Sequence, residues 1–171
     1  MDKINIKNKR EAIKQLNRYK CKHILQESIR FSNTSLKKLN NLVGYGIFMK
    51  NDLFADSDTL FDLMQPLGGR GIHNYHDLSP ALIIDILNSI IEPYCIFKEG
   101  VSRYAIVTTK SNINNETIMV VIAVKSATAR DMFASVNKLV TMFPKKKISS
   151  YIEKIDKSQI LYKNDFLLIK K

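Results

Sequence analysis

The sequence predicts an α+β fold, in which N-terminal helices are followed by a small antiparallel sheet backed by helices. Three observations carry the prediction. Helical spacing of apolar residues prevails up to Pro93, and period-two spacing prevails after it. Helices and strands do not alternate along the chain, which disfavours a parallel βαβ sheet. Hydrophobic residues make up 45% of the 171 residues, enough for a core in one domain, with or without an N-terminal extension.

Residues 8–30 read as a basic helix, with Ala12, Leu16, Tyr19 and His23 on one stripe. Ser35 caps a second helix, SLKKLNNLV, which Gly44 and Gly46 end. Residues 56–64, DSDTLFDLM, form a third, capped by Asp56 or Ser57. PLGGRG, 66–71, breaks the pattern and is the best internal boundary. It separates a basic helical region, 1–65, from an α+β domain, 66–171.

Ser79 and Pro80 open the strongest helix, SPALIIDILNSII, as N-cap and first helical residue. Pro93 ends it. Strands are expected at Tyr94–Lys98, Arg103–Lys110 and Glu116–Lys125, with SNINN as a hairpin loop. The nearly unbroken apolar run TIMVVIAV marks a central strand covered on both faces. A helical turn is expected at Asp131–Ala134. Val136–Phe143 fits either a fourth strand or a helix. A short helix at Ile148–Ile155 follows, and Ile160–Tyr162 or Phe166–Ile169 supplies a last strand.

Charge is uneven. Residues 1–38 carry eleven Lys/Arg against three acids, 39–100 three against eight, and 101–171 thirteen against five, within a net charge of +11. Such a balance suits a polyanionic partner, RNA, DNA or an anionic membrane surface, and is also met in proteins that bind none of these. The start has no apolar signal-peptide core, and no apolar run is long enough to span a membrane. Cys21 and Cys95 stand in no metal-ligand spacing. No cofactor, metal or membrane is therefore expected, and a cytoplasmic setting is the simpler expectation. No P-loop, dinucleotide fingerprint, zinc-protease motif or nucleophile elbow occurs.

The chemistry these residues can supply is metal-free cleavage of RNA. It needs a base for the 2′-hydroxyl, an acid for the leaving oxygen, and donors and cations for the phosphate. His73 and His76 lie just before the Ser79 cap. His76 there serves either as a base of lowered pKa or as a fastener of the loop, and for His73 the fastener is the better reading. His23 reads as a packed or surface residue. Arg103, Lys110 and Lys125 stand at strand ends, where cations hold phosphates or are merely solvated. Asn137, Thr141 and Lys145, in regular strand spacing, share a face with Leu139 and Phe143. That polar row either lines a cleft or is hydrogen-bonded structure. Lys145, Lys146 and Lys147 form a basic cluster, and Tyr151 or Tyr162 offers a ring for a base.

The order HDLSPALIIDILNSIIEPYCIF, YAIVTTK, TIMVVIAV, VNKLVTMFP and YIEKIDKSQILYKND, over about 95 residues, resembles a known family. It looks like the C-terminal nuclease domain of phage head-morphogenesis proteins of the MuF type, in the barnase–EndoU–colicin–RelE superfamily. The residues that carry the resemblance are His76, Pro93, Asn137, Thr141, Phe143 and the pair Leu161–Tyr162. Phe143 stands where the family's pattern has tyrosine or phenylalanine, so this chain has no phenol there. His73 and the basic N-terminal region have no counterpart.

The resemblance implies a metal-independent endoribonuclease, a toxin or effector of phage or bacterial conflict. It would act in the host cytoplasm or with the phage particle. His76, Thr141 and Lys125 would be catalytic, Lys145 being the other candidate to stabilise charge. His73, Arg103, Asn137, Lys145, Lys146 and Tyr151 would bind nucleic acid. An antitoxin or immunity protein, or a phage head protein, would be its partner. Two other functions fit the same residues: a nucleic-acid-binding protein without chemistry, and a phage structural or interaction protein.

Overall fold

The computed structural model describes residues 10–12, 14, 23–25, 28–31, 34–44, 46–48, 53–66, 75–127 and 135–166. Eight strands form one sheet: β1 (His23–Leu25), β2 (Ser28–Phe31), β3 (Leu53–Asp56), β4 (Cys95–Lys98), β5 (Arg103–Ser111), β6 (Thr117–Ala127), β7 (Ser135–Lys145) and β8 (Ile160–Lys163). Their order in the sheet is β1-β2-β3-β7-β6-β5-β4-β8. The helices are α1 (Thr34–Val43), α2 (Ser57–Met64), α3 (Pro80–Ser89) and α4 (Ile148–Glu153), with a 3₁₀ turn at Lys157–Gln159. The mixed α+β class expected from the sequence holds.

Local chemistry explains the borders. Asp56 caps α2 by accepting from the Thr59 N–H at 2.8 Å. Ser79 caps α3 by accepting from Leu82 N–H at 3.2 Å, and Pro80 follows at the first helical position. Gly44 ends α1 with φ of +80°, a conformation glycine adopts without a Cβ clash. Asn112 closes the β5–β6 hairpin, accepting from the N–H groups of Asn114 and Glu116.

Four expectations are corrected. Part of the basic helix assigned to 8–30 is strand: β1 and β2 pair antiparallel there, and only residues 10–12 and 14 are described as helical. A helical stripe and a strand of alternating polarity share apolar residues when the segment is short, so spacing favoured the wrong one. Ser35, expected to cap α1, lies inside it, because the helix begins at Thr34, and Leu53–Asp56, left unassigned up to the Asp56 cap, is a strand that pairs parallel with β7 at Leu53↔Asn137 and Phe54↔Lys138. The sheet is therefore not an antiparallel meander throughout. Val136–Phe143, left open between helix and strand, lies in β7. The turn expected at Asp131–Ala134 lies outside the described residues.

The sheet has two covered faces. On the first, Leu39 of α1, Leu60 and Leu63 of α2, and Ile83, Ile86 and Leu87 of α3 with Ile90 just beyond it pack on Ile96, Ile106, Ile118, Val120 and Ile122. This core takes in residues from both sides of the boundary at 66. On the second face, Ile148 and Ile152 of α4 cover Cys95, Phe97, Ala105, Val107, Met119 and Val121. β6 alternates between the two sets, as a strand buried on both sides must.

Candidate functional site

The site grows out of one irregularity in β7. Its pairing with β6 runs Val120↔Met142 and Val121↔Thr141, then steps to Ile122↔Leu139. Two residues of β7, Val140 and Thr141, thus stand where one belongs, which is a β-bulge. The extra residue inverts the alternation. Leu139 and Met142 belong to the first core, while Val140 and Phe143 pack against the second. Thr141, opposite Val121, lies on the second face. Asn137, opposite the buried Leu53, lies on the first and is 0% exposed.

The polar row expected to share a face from Asn137 through Leu139 to Lys145 is therefore split. Thr141, Phe143 and Lys145 keep company on the second face, and Asn137 and Leu139 belong to the first. Bulges recur near active sites because they re-aim a side chain in this way.

His76 reaches the same face from the chain that precedes α3. The Asp77 N–H donates to Gln65 O at 2.7 Å, and the Leu78 N–H to Leu63 O at 2.9 Å. These bonds moor the turn to the end of α2. Asp77 has φ of +52°, a left-handed conformation that aspartate tolerates better than most residues. The turn buries Leu78 in the first core and leaves His76 half-buried.

The His76 Nε2 lies 3.4 Å from Thr141 Oγ1, across 65 residues of sequence. Its ring also lies against Phe143, with centroids 6.1 Å apart. Burial holds the His76 pKa below its ordinary value, because a half-dry site disfavours the imidazolium. At neutral pH the ring is thus a neutral imidazole, able to accept a proton and placed beside a hydroxyl. The 3.4 Å separation is at the long end for a hydrogen bond.

Along the same face, Lys145 Nζ sits 4.2 Å from the centre of the Tyr151 ring, a cation–π contact. Tyr151 also meets Phe97 at 6.1 Å between centroids. Burial, and next the charge of Glu99, push the Tyr151 phenol pKa up. Phe97, Ala105, Val121 and Thr141 are successive partners across four strands, so Tyr151 and His76 stand at opposite ends of one cross-strand row.

The other expected residues divide. Arg103 is exposed and, two residues before the buried Ala105, points to the second face. Lys146 pairs with Glu116 at 3.6 Å, and its side chain is 84% exposed. Lys110 pairs with Asp85 of α3 at 3.1 Å, away from His76. The backbone of Lys125 lies in β6, while its side chain and all of His73 lie outside the described residues.

One residue was missed. Lys138 pairs with Ala123, which shares its face of β6 with Val121, so Lys138 lies on the site face with Thr141. Its Nζ holds Asp56 Oδ2 at 2.9 Å. Regular alternation puts residues three apart on opposite faces, and only the bulge brings this lysine round.

Among the described residues no group of three or more His, Cys, Asp or Glu side chains is placed to hold a metal, and no helix is long and apolar enough to cross a membrane. Comparison with known proteins finds no matching curated protein and no matching solved structure. A family model does match: the Phage MuF-C-terminal domain, over residues 70–166. That stretch spans the His76 turn, α3, and the sheet from β4 to β8 together with α4. It covers more than half of the chain, and the chain belongs to the phage MuF C-terminal domain family.

Proposed function

We propose that the chain is a metal-independent endoribonuclease with a site of the barnase–EndoU–colicin–RelE kind, serving as a toxin or effector domain. The observation that carries this reading is the approach of a neutral, half-buried His76 to the Thr141 hydroxyl on a sheet face bordered by cations and a tyrosine. In this reading His76 Nε2 takes the proton of a ribose 2′-hydroxyl. The freed oxygen attacks the adjacent phosphorus, giving a 2′,3′-cyclic phosphate and a departing 5′-oxygen. The protonated imidazole or a water returns the proton. The Thr141 hydroxyl donates to a non-bridging phosphate oxygen, and Lys145 or Lys125 offsets the charge that builds there.

The test is cleavage of a labelled RNA in EDTA. His76→Ala should lower the rate by about 10²–10⁴-fold, the usual contribution of a positioned base. Wild type without activity at high enzyme concentration, or equal activity in both proteins, overturns the reading.

Membership of a phage domain family supports a second reading equally well, that of a phage structural or interaction protein without chemistry. Its uneven charge would then pair between subunits. Self-association that weakens with salt, in a protein that leaves RNA intact, favours that reading. A monomer at every ionic strength argues against it.

A further inference from the structure

The bulge leaves a second row of side chains on the site face, one strand step beyond the row of Thr141. Arg103 pairs with Ala123 across β5 and β6, and Ala123 pairs with Lys138 across β6 and β7. Two cations therefore flank one small residue. At ~4.8 Å per strand their backbones stand about 10 Å apart, and the row lies about 7 Å along the strands from that of Val121 and Thr141. Arg103 is long enough to reach across the Ala123 methyl, which puts nothing bulky in the way, while the Lys138 ammonium is drawn towards Asp56 on the β3 side of β7.

Among the described residues, Lys138 is held by Asp56. Its ammonium has three donors, and Asp56 Oδ2 takes one at 2.9 Å. Asp56 Oδ1 is already engaged by the Thr59 N–H. The carboxylate competes for the ammonium and takes one donor, leaving the others for an anion on the sheet.

We propose that Arg103 and Lys138, over Ala123, form a second phosphate subsite, which takes the RNA phosphate neighbouring the one held at His76 and Thr141. The identity of the strand as RNA rests on the ribonuclease reading above, while the subsite rests on the register of β5, β6 and β7. Arg103 is exposed and Ala123 and Lys138 are part-buried, one step beyond the residues of this face that α4 covers, so a single strand can lie along the row with its bases turned towards Tyr151.

The probe is a short 2′-O-methyl RNA oligonucleotide, which cannot be cleaved through a 2′-hydroxyl. Its affinity for the full chain is measured across a salt series. Arg103→Met/Lys138→Met should weaken binding severalfold and reduce the slope of log affinity against log salt by about 0.7–1. Lys157→Met, an exposed lysine beyond α4, should change neither. Asp56→Asn keeps a helix-capping side chain and removes a competing charge, so it should tighten binding. Binding by the double variant that equals wild type, with both folded by thermal melting, overturns the subsite. Weaker binding by Asp56→Asn overturns the part assigned to Lys138.

The two readings fail separately. A wild type that cleaves nothing but loses the slope in the double variant defeats the nuclease reading alone. Normal cleavage with an unchanged slope defeats the subsite alone.

Discussion

His76 shows how a side chain's surroundings set its chemistry. Burial lowers its pKa, so the unfolded chain takes up this proton before the folded chain does as pH falls. Stability contributed by the neutral ring is present above the ordinary histidine pKa. It falls on acidification from there, and the fall is complete below the folded pKa. His76→Gln should accordingly lose less stability than wild type as pH falls from about 7.5 through the ordinary histidine pKa, by urea denaturation. Cleavage should persist below the ordinary histidine range, with an acid limb that moves or vanishes in the variant. Asp77 makes a second prediction. Its positive φ suits glycine, so Asp77→Gly should fold and cleave like wild type, whereas Asp77→Val should cost about 1–2 kcal/mol and misplace His76.

Among the elements, most caps and turns were legible from residues alone, Ser35 being an exception because α1 begins before it. Ser79–Pro80, Asp56 and Asn112 each satisfy backbone groups within a few residues, and local chemistry of that kind is written in local sequence. Ser79→Ala should therefore destabilise the fold by about 1 kcal/mol in thermal or denaturant melts. The β7 bulge was not legible. Nothing in VNKLVTMFP distinguishes a regular strand from one carrying an extra residue, because the bulge exists only against β6. That is why Asn137 was read beside Thr141, and why Lys138 was overlooked. The Thr141→Val variant keeps the branched shape and loses the hydroxyl, so reduced cleavage at unchanged stability is expected of it, and equal cleavage would remove Thr141 from the proposed site.

At the scale of the molecule, α1, α2 and α3 share one core beneath the sheet, and α4 seals the other face. Ile106, 0% exposed at the centre of this arrangement, should cost about 2–5 kcal/mol when cut to alanine, read by denaturant unfolding. Residues 53–64 add to the same core as residues 78–96, which the glycine-rich break at 66–71 did not reveal, because a break in local pattern reports on the chain's path and not on which residues pack together. The parallel pairing of β3 with β7 was equally hidden, since strands so far apart in sequence share no local signal.

The sequence by itself determined the α+β class, the capped helix α3, the three central strands and the likeness of its last hundred residues to a phage domain. All of these rest on periodicity, capping and short-range chemistry, or on motif order. Only the tertiary structure decided which polar residues meet. The approach of His76 to Thr141 depends on an αL turn moored to α2 and on a bulge defined by a neighbouring strand. Both are long-range facts, because a side chain's direction in a sheet is set by its register against its partners and not by its neighbours in the chain.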